Sequence, residues 1–363
     1  MLVFSRRLIN KKDFAFILGV FWIIVIGMFL SPITPGAIIA KLKGLVLMSA
    51  SLISGVILYK KFSEENKQTF RKVLGTFLVF LVFGSVLEIA GILRPVSDFF
   101  RSLFYSESLY AGDVRDVALT GHVRPKLFTS EPSHLTKGFM VICNAWYLLK
   151  PSNKTFFKAL ILHLYMFWAE ASPIVILSLG ILFFSNLLLS KNKIPSIVIL
   201  VTFLSTAAYI GIKYAEEIQQ ISALAGRLEK SSSGDDGSVN QRLIYPMFTS
   251  VDVIKNYPFF GIGILNKGYS LKVTRYQSVG DPNQLLGNNG FFNFISYFGV
   301  FGFFFLFLTF LTYLWNKLSV KKLIIFGAFF IIYNFSTGAF VTPRYWIYSF
   351  IIVTCLVITE HEE

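Results

Sequence analysis

The residues with the clearest chemical potential lie in the segment RPKLFTSEPSH, at positions 124–134. Arg124 has a planar guanidinium, which binds phosphate or carboxylate through two parallel hydrogen bonds. Glu131 and His134 are three residues apart, so both lie on one face of a helix that begins here. A carboxylate or imidazole that is partly withdrawn from water can act as a general base near neutral pH. The segment therefore predicts anion binding together with proton abstraction.

A structural role for the same residues remains an open alternative. Acidic side chains favour the first turn of a helix because they stabilise its positive dipole end, and Pro is typical of the first helical position. On this interpretation Glu131 is a helix charge and His134 is a neighbour of the cap. The sequence does not choose between the two interpretations.

The elements around this segment indicate a membrane protein. Of 363 residues, 54% are hydrophobic and 40 are Phe, whereas only 15% are charged. A helix of roughly 17–25 apolar residues crosses a bilayer. The predicted fold is an all-α polytopic membrane protein, forming a single membrane domain over 1–363. Its ten predicted spans lie near 14–30, 36–59, 73–93, 132–149, 157–170, 173–190, 194–214, 290–315, 323–340 and 344–359.

The distribution of positive charge predicts the orientation of these spans and argues against a nucleic acid partner. The net charge is +14, but the basic residues are spread over short loops and form no basic domain, so we expect no nucleic acid partner. The positive-inside rule places these short loops, and both termini, in the cytoplasm. The two long loops, 94–131 and 215–289, then lie outside the membrane.

Ionisable residues within the predicted spans lie mostly toward the outer side. Charge inside a membrane costs a few kcal/mol at mid-depth, so such residues predict a functional site. Glu88, Lys137 and Arg344 are the candidates for substrate binding in this group. Snorkelling toward the interface is the alternative for Lys41 and Lys43. His163 is predicted to be an ordinary packing residue.

The loop 215–289 contains a predicted amphipathic helix that presents an arginine. Its apolar stripe consists of Ile244, Met247, Phe248, Val251 and Ile254, and Arg242 lies on the opposite side. Arg275 follows in a polar stretch, and Asn288 and Asn289 precede the eighth span. The outward helix starts, such as Glu131-Pro132 and Asn289-Gly290, offer N-termini that favour anions, although Pro also begins helices without any ligand.

These motifs, in this order, resemble those of the Wzy-type O-antigen and exopolysaccharide polymerases, which are relatives of the O-antigen ligases. The resemblance rests on R-P-x-x-F-x-x-E-P-S-H at 124–134, the segment led by Arg242, P-F-F-G-I-G at 258–263, and Asn288-Asn289-Gly290 before F-x-x-Y-F-G-x-x-G-F at 294–303. It implies glycosyl transfer from an undecaprenyl-diphosphate-linked oligosaccharide to another lipid-linked repeat unit. The expected location is the outer face of a bacterial inner membrane, and a chain-length regulator is a further expected partner.

The resemblance also assigns expected roles. Glu131, His134 and Arg242 are the candidate catalytic residues, and no metal or cofactor is expected. The candidate substrate-binding residues are Arg124, Arg275, Asn288, Asn289, Arg344, Glu88 and Lys137. Ligases typically have a His-Asn pair where this chain has Asn288-Asn289, which favours a polymerase. An O-antigen ligase and a lipid-linked oligosaccharide flippase remain the alternatives.

Overall fold

The computed structural model describes residues 10–33, 37–105, 112–190, 197–198, 201–202, 205, 240–286, 289–337 and 340–360, and these contain helices but no strands. In chain order the helices are α1 (Lys11–Leu30), α2 (Ala37–Glu64), α3 (Lys67–Ile89), α4 (Arg94–Phe104), α5 (Asp113–Thr120), α6 (Pro132–Leu148), α7 (Asn153–Glu170), α8 (Pro173–Leu189), a π-helical turn (Asn240–Ile244), α9 (Tyr245–Asn256), α10 (Lys267–Val273), a 3₁₀ turn (Gln277–Val279), α11 (Pro282–Leu286), α12 (Gly290–Trp315), α13 (Val320–Ser336) and α14 (Pro343–Glu360). They form two compact units, residues 1–65 with 236–363 and residues 66–235.

The helices identify the chain as a multi-pass membrane protein. Four of those described, α1, α2, α3 and α12, are long and apolar enough to cross a membrane, and α8 is a shorter apolar helix. Helices α6, α7, α13 and α14 also coincide with predicted spans. Most of the predicted span 194–214, and residues 215–239 and 287–288 of the loop 215–289, lie outside the described residues. Ten spans in a single membrane domain therefore stay a prediction.

In the first unit, α2 packs on α14 and α1 packs on α12. A Cβ added to Gly55 would lie 2.6 Å from Cδ2 of Phe350, so only glycine lets α2 come this close to α14. The rings of Phe16 and Tyr313 stack with centroids 4.2 Å apart. The buried carboxylate of Asp13 accepts a hydrogen bond from the Tyr313 hydroxyl at 2.9 Å. This contact joins the beginning of α1 to the end of α12.

Helix α12 is interrupted by a kink at Gly299, where φ is +63°. The kink leaves some backbone N–H and C=O groups of α12 without partners inside the helix. The segment 258–263, which follows α9, supplies partners for them. Four backbone hydrogen bonds of 2.8–3.2 Å link the two segments: Val300 N–H to the Pro258 carbonyl, Gly302 to Phe259, Ile262 to Ser296, and Gly263 to Tyr297. Irregular backbone at membrane depth is tolerated only when it is satisfied inside the protein in this way.

Two glycines make this approach possible. Gly261 has a φ of +59°, and a Cβ there would lie 2.1 Å from the Ser296 carbonyl oxygen. A Cβ on Gly299 would lie 2.6 Å from the carbonyl carbon of Phe259. The motif P-F-F-G-I-G at 258–263 thus forms a turn that fills the break in α12.

Lys41 of α2 binds the backbone at the end of α1. Its side chain is only 2% exposed. The Nζ atom donates hydrogen bonds to the carbonyls of Pro32 at 2.8 Å, Met28 at 3.2 Å and Ser31 at 3.3 Å. It thus satisfies carbonyls that the end of a helix leaves without partners. Lys41 therefore does not snorkel: its ammonium is buried as a helix cap.

In the second unit, buried polar side chains join α6, α7 and α8. His163 is fully buried, and its Nε2 lies 2.8 Å from the Ser178 hydroxyl. Asn144 donates to the same hydroxyl at 2.8 Å, and the Tyr147 hydroxyl donates to Asn186 at 2.8 Å. Interhelical hydrogen bonds of this kind stabilise helix association in lipid, where burial of apolar surface adds little. The interpretation of His163 as a packing residue is confirmed.

We expect Gly299→Ala to lower stability by about 1–3 kcal/mol or more, because alanine is strained at positive φ and its methyl group would overlap the inserted segment. Gly327→Ala is the matched control, since a Cβ at Gly327 in α13 meets nothing within 4 Å. Thermal unfolding in detergent measures both variants. Equal melting temperatures for the two would show that the inserted segment does not hold the kink.

Candidate functional site

In the second unit, Glu88 holds the segment 124–134 in place. Its side chain is 3% exposed. One carboxylate oxygen accepts the backbone N–H groups of Lys126 at 3.0 Å and Leu127 at 2.5 Å, and the other accepts the Ser97 hydroxyl at 2.9 Å. Leu127 has a φ of +47°, so the segment turns sharply here. These contacts explain why a short acidic side chain lies inside α3. Substrate binding by Glu88 stays a prediction, and the geometry favours an anchor.

Two aspartates of α5 pair with basic side chains of the same segment. Nε and Nη2 of Arg124 both lie 2.7 Å from Oδ1 of the buried Asp116. Asp113 bonds both Lys126 and Arg94, with Arg94 at 2.5 Å. Burial alone would raise the pKa of Asp113, but the bonds and charges of Lys126 and Arg94 outweigh it and hold the pKa below its usual range. The segment is therefore folded by ion pairs as well as by Glu88.

Arg124 is already paired within the protein. Its guanidinium bonds the carboxylate of Asp116. Glu170, the last residue of α7, is fully buried and interacts electrostatically with Arg124, Asp116 and Glu88. Phosphate binding by Arg124 stays a prediction, and the ion pair with Asp116 weighs against it. The closeness of Glu170 to Arg124 was not predicted from the sequence.

Glu131 and His134 lie at the beginning of α6, as predicted. Glu131 is the N-cap residue, with extended backbone, and Pro132 is the first helical residue. The Glu131 side chain is exposed and accepts the Ser133 hydroxyl at 2.9 Å, but it makes no capping bond to the helix backbone. His134 is half-buried, with Nδ1 3.0 Å from the Ser130 hydroxyl. Lys137 follows on the same helix. An accessible carboxylate that is not used for capping fits the catalytic interpretation.

In the first unit, Arg242 and Asn289 come together. The exposed Arg242 lies in the π-helical turn before α9, and its carbonyl accepts the Asn289 amide N–H at 2.9 Å. The amide oxygen of Asn289 accepts the Phe292 N–H at 3.2 Å and so caps α12. The backbone of Arg242 is thereby held beside the N-terminus of α12, where anions are favoured. Asn288 lies outside the described residues.

The buried face of α9 differs from the predicted apolar stripe. Residues of the stripe are half-buried or exposed, whereas Pro246, Thr249, Ser250 and Val253 are buried. The Ser250 hydroxyl lies 2.8 Å from the Ser296 hydroxyl of α12. Small and hydroxylated residues let helices approach closely in membranes, which the pattern of large apolar residues does not reveal. Helix α9 therefore packs on α12 through small and hydroxylated residues and not through the predicted stripe.

Two further predicted arginines have neighbours in the first unit. Arg275 contacts Asp252 through Nη2 at 2.7 Å and Nε at 3.0 Å, and its guanidinium lies over the Phe248 ring. The hydrogen bonds of Arg275 lower the pKa of Asp252, so the pair is ionised over a wide pH range. Arg344 begins α14 within electrostatic reach of Tyr333 and Tyr348. Phosphate binding stays a prediction for both, and for Arg275 it would compete with Asp252.

Within the described ranges, no cluster of three or more His, Cys, Asp or Glu side chains is arranged to hold a metal ion. The most extensive charged cluster that sequence reasoning missed involves Asp113, Asp116 and Lys126. The three-residue spacing of the two aspartates places them on one face of a helix. The spacing of the two aspartates could have predicted that they share one face of α5. Their basic partners could not be predicted, because they depend on how the segment 124–134 folds.

One comparison with known proteins gave a match. Residues 158–308 match the family model described as O-antigen ligase. The matched region runs from α7 into α12 and includes Arg242, Arg275 and Asn289. No curated protein and no solved structure matches the chain.

We expect Glu88→Gln to destabilise the second unit by about 1–3 kcal/mol, because the amide oxygen can still accept the two N–H groups but the hydrogen bonds to a charged acceptor would be lost. Glu131→Gln, at an exposed carboxylate, should change stability by at most about 0.5 kcal/mol. Chemical unfolding of the detergent-solubilised variants compares the two. A Glu88→Gln protein as stable as the wild type would remove Glu88 as the anchor of the segment.

Proposed function

We propose that this protein polymerises undecaprenyl-diphosphate-linked oligosaccharide repeat units. Its match over residues 158–308 places it in the O-antigen ligase/polymerase superfamily. The proposed location is the outer face of a bacterial inner membrane. Both termini are then cytoplasmic and the long loops lie outside, as the basic loops predict. The observation that most supports this function is the exposed Arg242 beside the capped N-terminus of α12.

The proposed reaction is a metal-independent displacement. A hydroxyl oxygen of the acceptor sugar bonds to the anomeric carbon of the donor, and the bond from that carbon to the diphosphate breaks. The diphosphate leaves with the electron pair, and the hydroxyl proton passes to a base. A diphosphate is already stable as an anion, so its departure depends more on positive charge than on a general acid. Arg242 is proposed to bind this leaving group, with the N–H groups at the start of α12.

Glu131 is the proposed base. Its carboxylate is exposed, it does not cap α6, and its one hydrogen bond comes from the Ser133 hydroxyl. His134 is the second candidate, with a half-buried ring and one nitrogen near Ser130. Arg242 belongs to one unit and Glu131 to the other, so each role is proposed from the surroundings of that residue alone.

A polymerase is favoured over a ligase by the residue at position 288. A His-Asn pair would place a basic imidazole nitrogen there, whereas the amide of an asparagine has no basic nitrogen. The His-Asn pair typical of ligases is replaced by Asn288-Asn289 in this sequence. A flippase would be expected to show internal repeats and charges throughout the membrane depth, and the sequence has neither.

The surface polysaccharide of a deletion strain tests the function. A polymerase predicts that a single capped repeat unit remains, and that the full ladder returns when the gene is restored. Free lipid-linked polymer in the deletion strain would identify a ligase. Repeat units trapped in the cytoplasm would identify a flippase. If a chain-length regulator is a partner, its deletion should change the distribution of ladder lengths without abolishing the ladder.

We expect Arg242→Lys to lose most polymerising activity at a matched protein level. Lysine keeps the charge but lacks the planar pair of donors that binds two phosphate oxygens. Arg275→Lys is the comparison, because Arg275 is also exposed in the first unit but pairs with Asp252. It should retain activity if that pairing is structural. Normal polymer length and rate in Arg242→Lys would reduce Arg242 to a surface charge.

For the base, we expect Glu131→Gln to fold and bind donor normally but to lower turnover by roughly 10²–10⁴-fold, as is typical when a general base is lost. His134→Ala should have a much smaller effect. Turnover is measured with purified lipid-linked repeat units in nanodiscs, without added divalent metal. A nearly silent Glu131→Gln would leave Glu131 with a structural role, whereas a reversed order of the two defects would make His134 the base.

A further inference from the structure

The second unit has an open apolar groove between α3 and α7, lined by no residue of the segment 124–134. Its volume is about 880 Å³. Along α3 it is lined by valine, leucine and phenylalanine side chains, with Ile161 and Leu162 on α7 opposite. Several of these side chains are largely exposed, such as Val79 at 66% and Phe83 at 60%. Apolar side chains this exposed on a membrane helix face lipid, so the groove opens to the bilayer.

A small residue and an aromatic ring shape one end of the groove. Gly75 in α3 has no side chain, and a Cβ placed there would lie 3.4 Å from the indole nitrogen of Trp146. Trp146 belongs to the last turn of α6, which a short connection joins to α7. The first turns of α3 and α7 and the last turn of α6 therefore meet at this end. An indole at such a position is typical of the membrane–water interface.

Positive charge collects at the same end and nowhere else along the groove. Lys72 and Lys158 line it, and the Arg71 guanidinium lies over the Trp146 ring at 4.7 Å. The buried Nε atom of Arg71 makes no hydrogen bond. No acidic side chain lines the groove. One end is thus cationic and offers N–H donors, and the rest is apolar.

The groove is long enough for an acyl chain of one leaflet. From Lys72 to Val86 is fourteen residues of helix, or about 21 Å at 1.5 Å per residue, which exceeds the roughly 15 Å hydrocarbon thickness of one leaflet. An acyl chain therefore fits along α3. Basic pockets between membrane helices on the cytoplasmic side are known to bind anionic lipid headgroups.

We propose that this groove binds an anionic phospholipid of the cytoplasmic leaflet, with its phosphate at Lys72, Lys158 and Arg71 and one acyl chain along α3. The basic segments 60–72 and 150–158 place this end on the cytoplasmic side. A polyprenyl phosphate shares the same chemistry, but the proposed polymerisation uses and releases that lipid on the opposite face. The phospholipid is thus a bound structural lipid, distinct from the substrate.

Native mass spectrometry of the detergent-solubilised protein tests the site. The probes are phosphatidylglycerol, phosphatidylcholine and undecaprenyl phosphate, each added alone and in competition. We expect the wild type to retain phosphatidylglycerol in preference to phosphatidylcholine. The double variant Lys72→Gln, Lys158→Gln should weaken phosphatidylglycerol binding roughly tenfold or more, since each basic residue near an anionic headgroup contributes to its affinity.

Two further variants complete the test. Lys150→Gln, Lys154→Gln is the matched control. Both lysines are exposed, Lys150 in the connection before α7 and Lys154 in its first turn, and neither lines the groove, so binding should not change. Val79→Trp, at an exposed position in α3, should fill the apolar part of the groove. It should therefore weaken phosphatidylglycerol binding although both groove lysines remain.

Three results would overturn the proposal. The first is equal retention of phosphatidylcholine and phosphatidylglycerol by the wild type. The second is an equal loss of phosphatidylglycerol binding in the Lys72/Lys158 variant and in its control. The third is preferential retention of undecaprenyl phosphate. Because the readout is lipid binding, it is independent of whether the protein polymerises or ligates.

Discussion

In lipid, every backbone N–H and C=O group needs a partner within the protein, and this requirement governs the places where the chain departs from a regular helix. The described residues meet it in three ways. Lys41 bonds the carbonyl of Met28 in the last turn of α1 and those of Ser31 and Pro32 just after it. Glu88 accepts two N–H groups of the segment 124–134, and the segment 258–263 bonds the broken part of α12. Each is costly to lose, because a buried group left without a partner forfeits its hydration. The residues proposed for chemistry lie next to elements held in this way.

This requirement separates residues that hold the site from residues that are accessible to a substrate. Glu88 and Asp116 are buried, and their oxygens are directed at the protein's own donors. Glu131 and Arg242 are exposed, and each is positioned through the backbone around it. An acidic side chain inside a membrane helix therefore has two very different explanations. Burial and partners distinguish them, and depth in the membrane alone does not.

Sequence reasoning recovered the features that depend on local pattern. The apolar runs gave the helices, and the dipeptides Glu131-Pro132 and Asn289-Gly290 gave the beginnings of α6 and α12. It missed the features that depend on contacts between distant segments. The partners of Arg124 and Arg275 are aspartates whose placement follows from the fold. The packing of α9 through Ser250 was not predicted, because a pattern of large apolar residues does not reveal close approach by small ones. The kink at Gly299 has no local signature beyond its glycines.

That kink also bears on the order of biosynthesis. The segment 258–263 leaves the ribosome before α12 does, so its carbonyls and N–H groups have no partners when it is made. A helix enters the membrane most easily when its own backbone bonds are complete. We expect α12 to insert as a straight helix and to bend only when the earlier segment pairs with it. The final shape of α12 is then a product of assembly within the membrane, and the nascent chain must keep 258–263 accessible until that moment.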